Sequence, residues 1–123
     1  MNKIIGEVEV TRPQILHGDH HIVSGAAIAD ETAKFSAGTL LYKDEGNYVP
    51  LAKNDAEHKP VAVAVEPLEE KADGAVILAC LHGAVRAEKL VYADGSAITD
   101  DSVEDLRAAG IYCIEGESAA QEE

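Results

Sequence analysis

The densest group of chemistry-bearing side chains in this sequence is His17, Asp19, His20 and His21. Imidazoles and a carboxylate this close together form a donor set that zinc or nickel accepts. The spacing argues against one shared ion, because neighbouring residues of an extended strand point to opposite faces and His20 and His21 would diverge. Exposed loop histidines are the plainer reading, with a metal-dependent enzyme built on residues 17–21 as the minority one. His58 falls in a charged loop and His82 at a strand end, and neither has a nucleophile with a base and orienter nearby in sequence. Ser24-Gly25 and Ser36-Ala37-Gly38 lack the surroundings of a nucleophile elbow, and no glycine-rich phosphate cradle is present. The carboxylates sit mostly in turns and charged runs, where a solvated surface is the usual role. Cys80 has apolar neighbours that favour an inert thiol. No catalytic, cofactor-binding or metal-ligating residue is assigned, and the chain is not expected to be an enzyme.

The elements that would position any site are mainly β. Glu7-Val8-Glu9-Val10-Thr11 alternates charge with β-branched side chains, the period of an extended strand, until Pro13 removes a backbone donor. Up to Lys34 the side chains are small or polar, so residues 1–34 read as an arm and residues 35–114 as a compact body. Within the body, Thr39-Leu40-Leu41-Tyr42 and Tyr48-Val49-Pro50-Leu51 flank a turn-rich stretch expected to form a hairpin connection longer than two residues. Val61-Ala62-Val63-Ala64-Val65 and Ala75-Val76-Ile77-Leu78-Ala79-Cys80-Leu81 read as buried strands, with Gly83 bending the second run. One helix has a start and a stop: Asp101 with Glu104 as a capping box, and Gly110 as the left-handed end. Val103 and Leu106 share its expected docking face, and Ile111-Tyr112-Cys113-Ile114 closes as a strand. Residues 115–123 form an acidic tail expected to be loose. The fold class is thus mainly β with one short C-terminal helix (α+β), a small β-barrel-like body with an extended N-terminal arm.

Composition narrows the partners. The 123 residues suit one domain with a modest core. Twenty-three acidic against 10 basic residues give a net charge of −13, which repels phosphate backbones and argues against DNA or RNA. No apolar run approaches the roughly 18 residues of a membrane span, and no signal-peptide pattern opens the chain. Cys80 and Cys113, far apart in apolar stretches, read as free thiols of a protein made in a reducing cytoplasm.

The order of these pieces resembles the lambda-type head decoration proteins of tailed phages, the capsid-stabilising protein D family. Carrying the likeness are Pro13-Gln14-Ile15-Leu16-His17-Gly18-Asp19, Ala37-Gly38-Thr39-Leu40-Leu41, the 61–65 run, Leu81-His82-Gly83-Ala84-Val85, and Leu106-Arg107-Ala108-Ala109-Gly110-Ile111-Tyr112. Each motif is low in information; their order and spacing across residues 13–114 give the match its specificity. The resemblance implies a homotrimer on the outer surface of the expanded virion capsid, at local threefold positions. There it would cement the major capsid protein of the phage head against packaging pressure, without cofactor, membrane or nucleic-acid partner. It also implies an arm that orders on the shell by adding a strand to a capsid sheet, with Ile4, Ile5, Val8, Val10, Arg12, Pro13, Ile15 and Leu16 as the capsid-binding residues. Those apolar side chains, spread over about fifteen residues, bury too little surface to offset the ordering of their own backbone, so docking is expected to supply the rest. The alternatives are a strand at 7–11 within the body's own sheet and a free-standing oligomeric β-rich binding module whose arm swaps onto a neighbour.

Overall fold

The computed structural model of the chain describes residues 16–114. They form six strands, β1 (Leu16–Ala27), β2 (Leu40–Asp44), β3 (Asn47–Pro50), β4 (Ala62–Ala64), β5 (Val76–Arg86) and β6 (Ile111–Ile114), with one α-helix, α1 (Asp100–Ala108). A 3-10 turn at Ala87–Lys89 follows β5. The mainly-β reading with a single short helix holds.

All six strands belong to one sheet of order β1-β5-β4-β2-β3, with β6 attached to β5. Every pairing is antiparallel except the parallel one between β5 and β6. β5 is the spine: β1 runs along one of its edges, while β4 and then β6 share the other. The sheet curls until a single parallel bridge, Ile28 to Tyr48, touches its two ends, and Ala29 N–H donates to the Tyr48 carbonyl at 3.1 Å. One bridge is not a ladder, so the barrel does not close.

Alternation along the strands builds a core on each face. Leu40, Val63, Cys80 and Val85 bury into one cluster with Leu90, Tyr92, Leu106 and Ile111, under α1. Leu41, Ala62, Ala64, Ile77 and Ala79 bury into the other with Ala26, Ile28, Phe35, Leu68 and Ala72. Successive side chains on opposite faces account for the split, since both Leu40 and Leu41 are fully buried. Alanines on the second face let the irregular stretches around Phe35 and Leu68 lie close, bonded backbone to backbone at 3.1 and 2.9 Å.

Three expectations need correction. The body does not begin at Phe35: Leu16–Ala27 is a strand of its sheet, and Ala26 and Ile28 are core residues, so residues 16–34 belong to the body rather than to an arm. The β2–β3 connection is not long; Glu45 and Gly46 have φ of 54° and 90°, the two left-handed positions of a two-residue hairpin turn. The bend at Gly83 is as read from sequence: β5 runs on through it to Arg86, with φ of 128° at the glycine. The helix N-cap is Thr99, not Asp101, and its buried face is Ser102 and Leu106, with Val103 half-buried. Gly110, with φ of 96°, ends the helix as read from sequence, its N–H donating to the Arg107 carbonyl at 3.0 Å.

Candidate interaction surface

Of the arm residues singled out from sequence, Ile4, Ile5, Val8, Val10, Arg12, Pro13 and Ile15 lie outside the described residues. Leu16 opens β1, its backbone opposite Val85, and His17 stands opposite Ala84. The register then breaks: four residues of β1 lie between His17 and Ile22, against only one of β5, Gly83, between Ala84 and His82. This excursion carries Gly18, Asp19, His20 and His21, and the His21 ring Nε2 lies 3.2 Å from the Ala84 carbonyl oxygen. Among the described residues, no three His, Cys, Asp or Glu side chains converge as a metal would need.

The other histidines have local partners. His58 Nδ1 lies 2.7 Å from an Asp55 carboxylate oxygen, and its ring stacks on Tyr42 with centroids 4.0 Å apart. The hydrogen bond from the His58 ring, followed by the Glu57 N–H, holds the Asp55 carboxyl below its ordinary value. His82 meets the ring of Tyr112 edge-on at 6.3 Å. Cys80 is buried and free, and burial pushes its thiol up, as expected of an inert group.

Between the 52–59 loop and α1 lies a groove of about 410 Å³. Its floor is Tyr92 and Ser102, and Lys59 reaches across to Asp105 at 3.4 Å. The Tyr92 hydroxyl lies 2.7 Å from Ser102 Oγ and 2.9 Å from Thr99 Oγ1, and it accepts the Thr99 N–H at 3.1 Å. Burial pushes the phenol up, but the bonds to Ser102 and Thr99 outweigh it and leave Tyr92 below its ordinary value. Every hydroxyl in that set is used in holding the helix start to the loop, a structural use of the groove floor.

The exposed apolar side chains are elsewhere. Of the five large ones among the described residues, Ile22, Val23, Val76 and Tyr112, exposed by 56%, 36%, 64% and 47%, lie on β1, β5 and β6, and Val61, exposed by 37%, precedes β4. Residues 20–29, 74–87 and 106–114, which hold nearly all of those strands, contain no Asp or Glu, although Glu66 Oε1 accepts the Leu78 N–H at 3.0 Å and Asp30 Oδ1 accepts the Gly74 N–H at 2.9 Å. Exposed apolar side chains gathered on neighbouring strands are a candidate contact surface. β1 also ends the sheet: no strand pairs its outer edge among the described residues, and Ile22, Val23, Ser24 and Gly25 are exposed in succession. Sequence reading missed these residues as a surface because they look like ordinary strand; the available signal was the three acid-free stretches in so acidic a chain.

No helix among the described residues is long and apolar enough to cross a membrane. The fold and surface together define a mainly-β chain with an open, apolar sheet margin. No family model and no curated protein matches the sequence.

Proposed function

We propose that this protein is a phage head decoration protein, binding as a trimer to the outside of the expanded capsid at local threefold sites and stabilising the shell against internal DNA. The observation that carries the reading is β1: an edge strand with an unpaired margin, exposed Ile22 and Val23 and no carboxylate over residues 20–29, continuous in sequence with the Pro13-Gln14-Ile15 motif. An open strand edge is the substrate of strand addition, in which main-chain hydrogen bonds supply affinity and alternate side chains supply selectivity. Joining three such margins on one base raises the effective concentration of the second and third contacts, so individually weak arms hold firmly. The acidic remainder of the surface faces solvent, where charge keeps the particle soluble.

Cosedimentation of the full chain with expanded empty heads of its phage tests this directly. Co-pelleting that saturates at one trimer per local threefold site is the expected result. A chain that stays in the supernatant at high concentration overturns the reading. An oligomeric binding module whose β1 margin accepts a neighbouring copy instead predicts self-association with no response to heads.

A further inference from the structure

β1 and β5 stop pairing at the same end of the sheet. Leu16 stands opposite Val85, and one further step would bring Ile15 opposite Arg86, the last residue of β5. Beyond Arg86 the chain passes through the 3-10 turn Ala87–Lys89 and drops Leu90 into the core under α1. No ladder partner on β5 is left for Gln14, and Pro13 has no N–H to offer one. The chain before Ile15 therefore has to leave the plane of the sheet. With the α1 side taken by Leu90, the face open to it is the reverse one. That face is apolar and bare at the same level. Val85 and Ile111 are buried under α1, so their neighbours Ala84 and Tyr112, which oppose one another, point the other way. Tyr112 is 47% exposed, and the ring of His82 meets it edge-on. Ala84 is opposed by His17 of β1 as well as by Tyr112 of β6, so its methyl is the low middle of a row three strands wide.

We propose that the root of the N-terminal segment, Pro13 to Ile15, folds over the Ala84 methyl and packs against Tyr112 and His82 of its own chain. Reach allows it. From β1 to β6 is two strand spacings, about 10 Å, and three residues of extended chain span as much. Tethering selects the occupant: Pro13 and Ile15 are apolar groups fixed next to this face, at an effective concentration on the order of millimolar that a free partner lacks. A proline ring laid on a phenol face also buries apolar surface with almost no side-chain entropy to lose. The contact belongs to the free chain. Its consequence for attachment rests on the decoration reading: residues 1–12 then set out for a shell from the Tyr112 side of the sheet, away from α1.

Methyl NMR of the full-length protein labelled at isoleucine tests the contact with no shell present. The Ile15 δ-methyl is expected upfield of its random-coil position through the ring current of Tyr112, and Tyr112→Leu is expected to return it there. Ile28 and Ile77, buried in the core on the side away from α1, report that the variant stays folded. Pro13→Gly, which leaves the ring in place and loosens the root, is expected to move the resonance the same way should Tyr112→Leu disturb the body. An Ile15 methyl at the random-coil position in the wild type, or one that neither variant moves, overturns the proposal. So does an upfield signal restored in labelled Tyr112→Leu chains by refolding them with unlabelled wild type, since that puts the ring contact on a neighbouring copy. An Ile15 signal that behaves as expected in a protein that never pellets with heads removes the decoration reading and leaves the contact standing. A random-coil signal in a protein that does pellet removes the contact alone.

Discussion

At the scale of single residues, Tyr92 and Asp55 tie loops to the body by polar contacts whose loss has a readable sign. Tyr92 is 2% exposed and Ser102 6% exposed, so the phenol, the serine hydroxyl and the Thr99 N–H share one small dry space. Tyr92→Phe keeps the ring and strands Ser102 and the helix start, a loss of about 1–3 kcal/mol. Urea unfolding should show a lower midpoint at unchanged m-value; an unchanged midpoint would mean water satisfies both groups. Asp55 accepts the Glu57 and His58 N–H groups at 2.8 and 3.1 Å as well as the His58 ring. Its carboxyl is held below the ordinary value in the folded chain, so whatever it contributes is present above the unfolded value near 4 and is lost as pH falls through the lower, folded one. Exchange of the Glu57 and His58 amides should accordingly accelerate below about pH 4, and Asp55→Asn should remove that acid dependence. Acceleration that survives in the variant would assign it to a different group.

At the scale of elements, the strands that sequence reading found are those whose alternation separates two kinds of environment. β4 and the first half of β5 were legible because β-branched or large side chains alternate with alanine, and β2 because the buried pair Leu40 and Leu41 opens it ahead of a polar turn. β1 was illegible as body: Ile22 and Val23 are both exposed, and the adjoining Ser24-Gly25-Ala26-Ala27 run is too small to mark a face although Ala26 is core. The capping box at Asp101 and Glu104 was a sound local pattern overruled by tertiary structure, since Thr99 caps through its backbone carbonyl, bonded to the Ser102 and Val103 N–H groups, while its hydroxyl goes to Tyr92. The helix stop was legible because a left-handed residue after α1 has few alternatives to glycine. A Cβ at Gly110 would also stand 2.9 Å from His82 Nδ1. That imidazole is exposed and free to swing, so the backbone should dominate, and Gly110→Ala should cost about 1–2 kcal/mol. In a double-mutant cycle, His82→Ala should return little of that loss; recovery of most of it would put the cost in the ring contact instead.

At the scale of the whole molecule, the net charge of −13 makes the proposed self-association and the proposed attachment to the shell answer salt with opposite sign. Copies that carry −13 each repel over about a Debye length, which shrinks from roughly 30 Å at 0.01 M to about 8 Å at 0.15 M ionic strength. Added salt therefore relieves repulsion between copies while leaving an apolar joint intact, and self-association should tighten, by about tenfold or ~1.4 kcal/mol over that range. Attachment to the shell differs if Lys3 and Arg12 steer it, because screening weakens contacts between unlike charges. Sedimentation across a salt series should show the trimer gaining at the expense of smaller species, while co-pelleting with heads, measured where the protein is fully trimeric, declines. Lys3→Glu with Arg12→Glu should flatten or reverse the second curve and leave the first unchanged. Two curves that rise together would remove the basic steering of the arm and leave apolar burial as the common force, and a trimer that weakens with salt would mean that ion pairs join the copies.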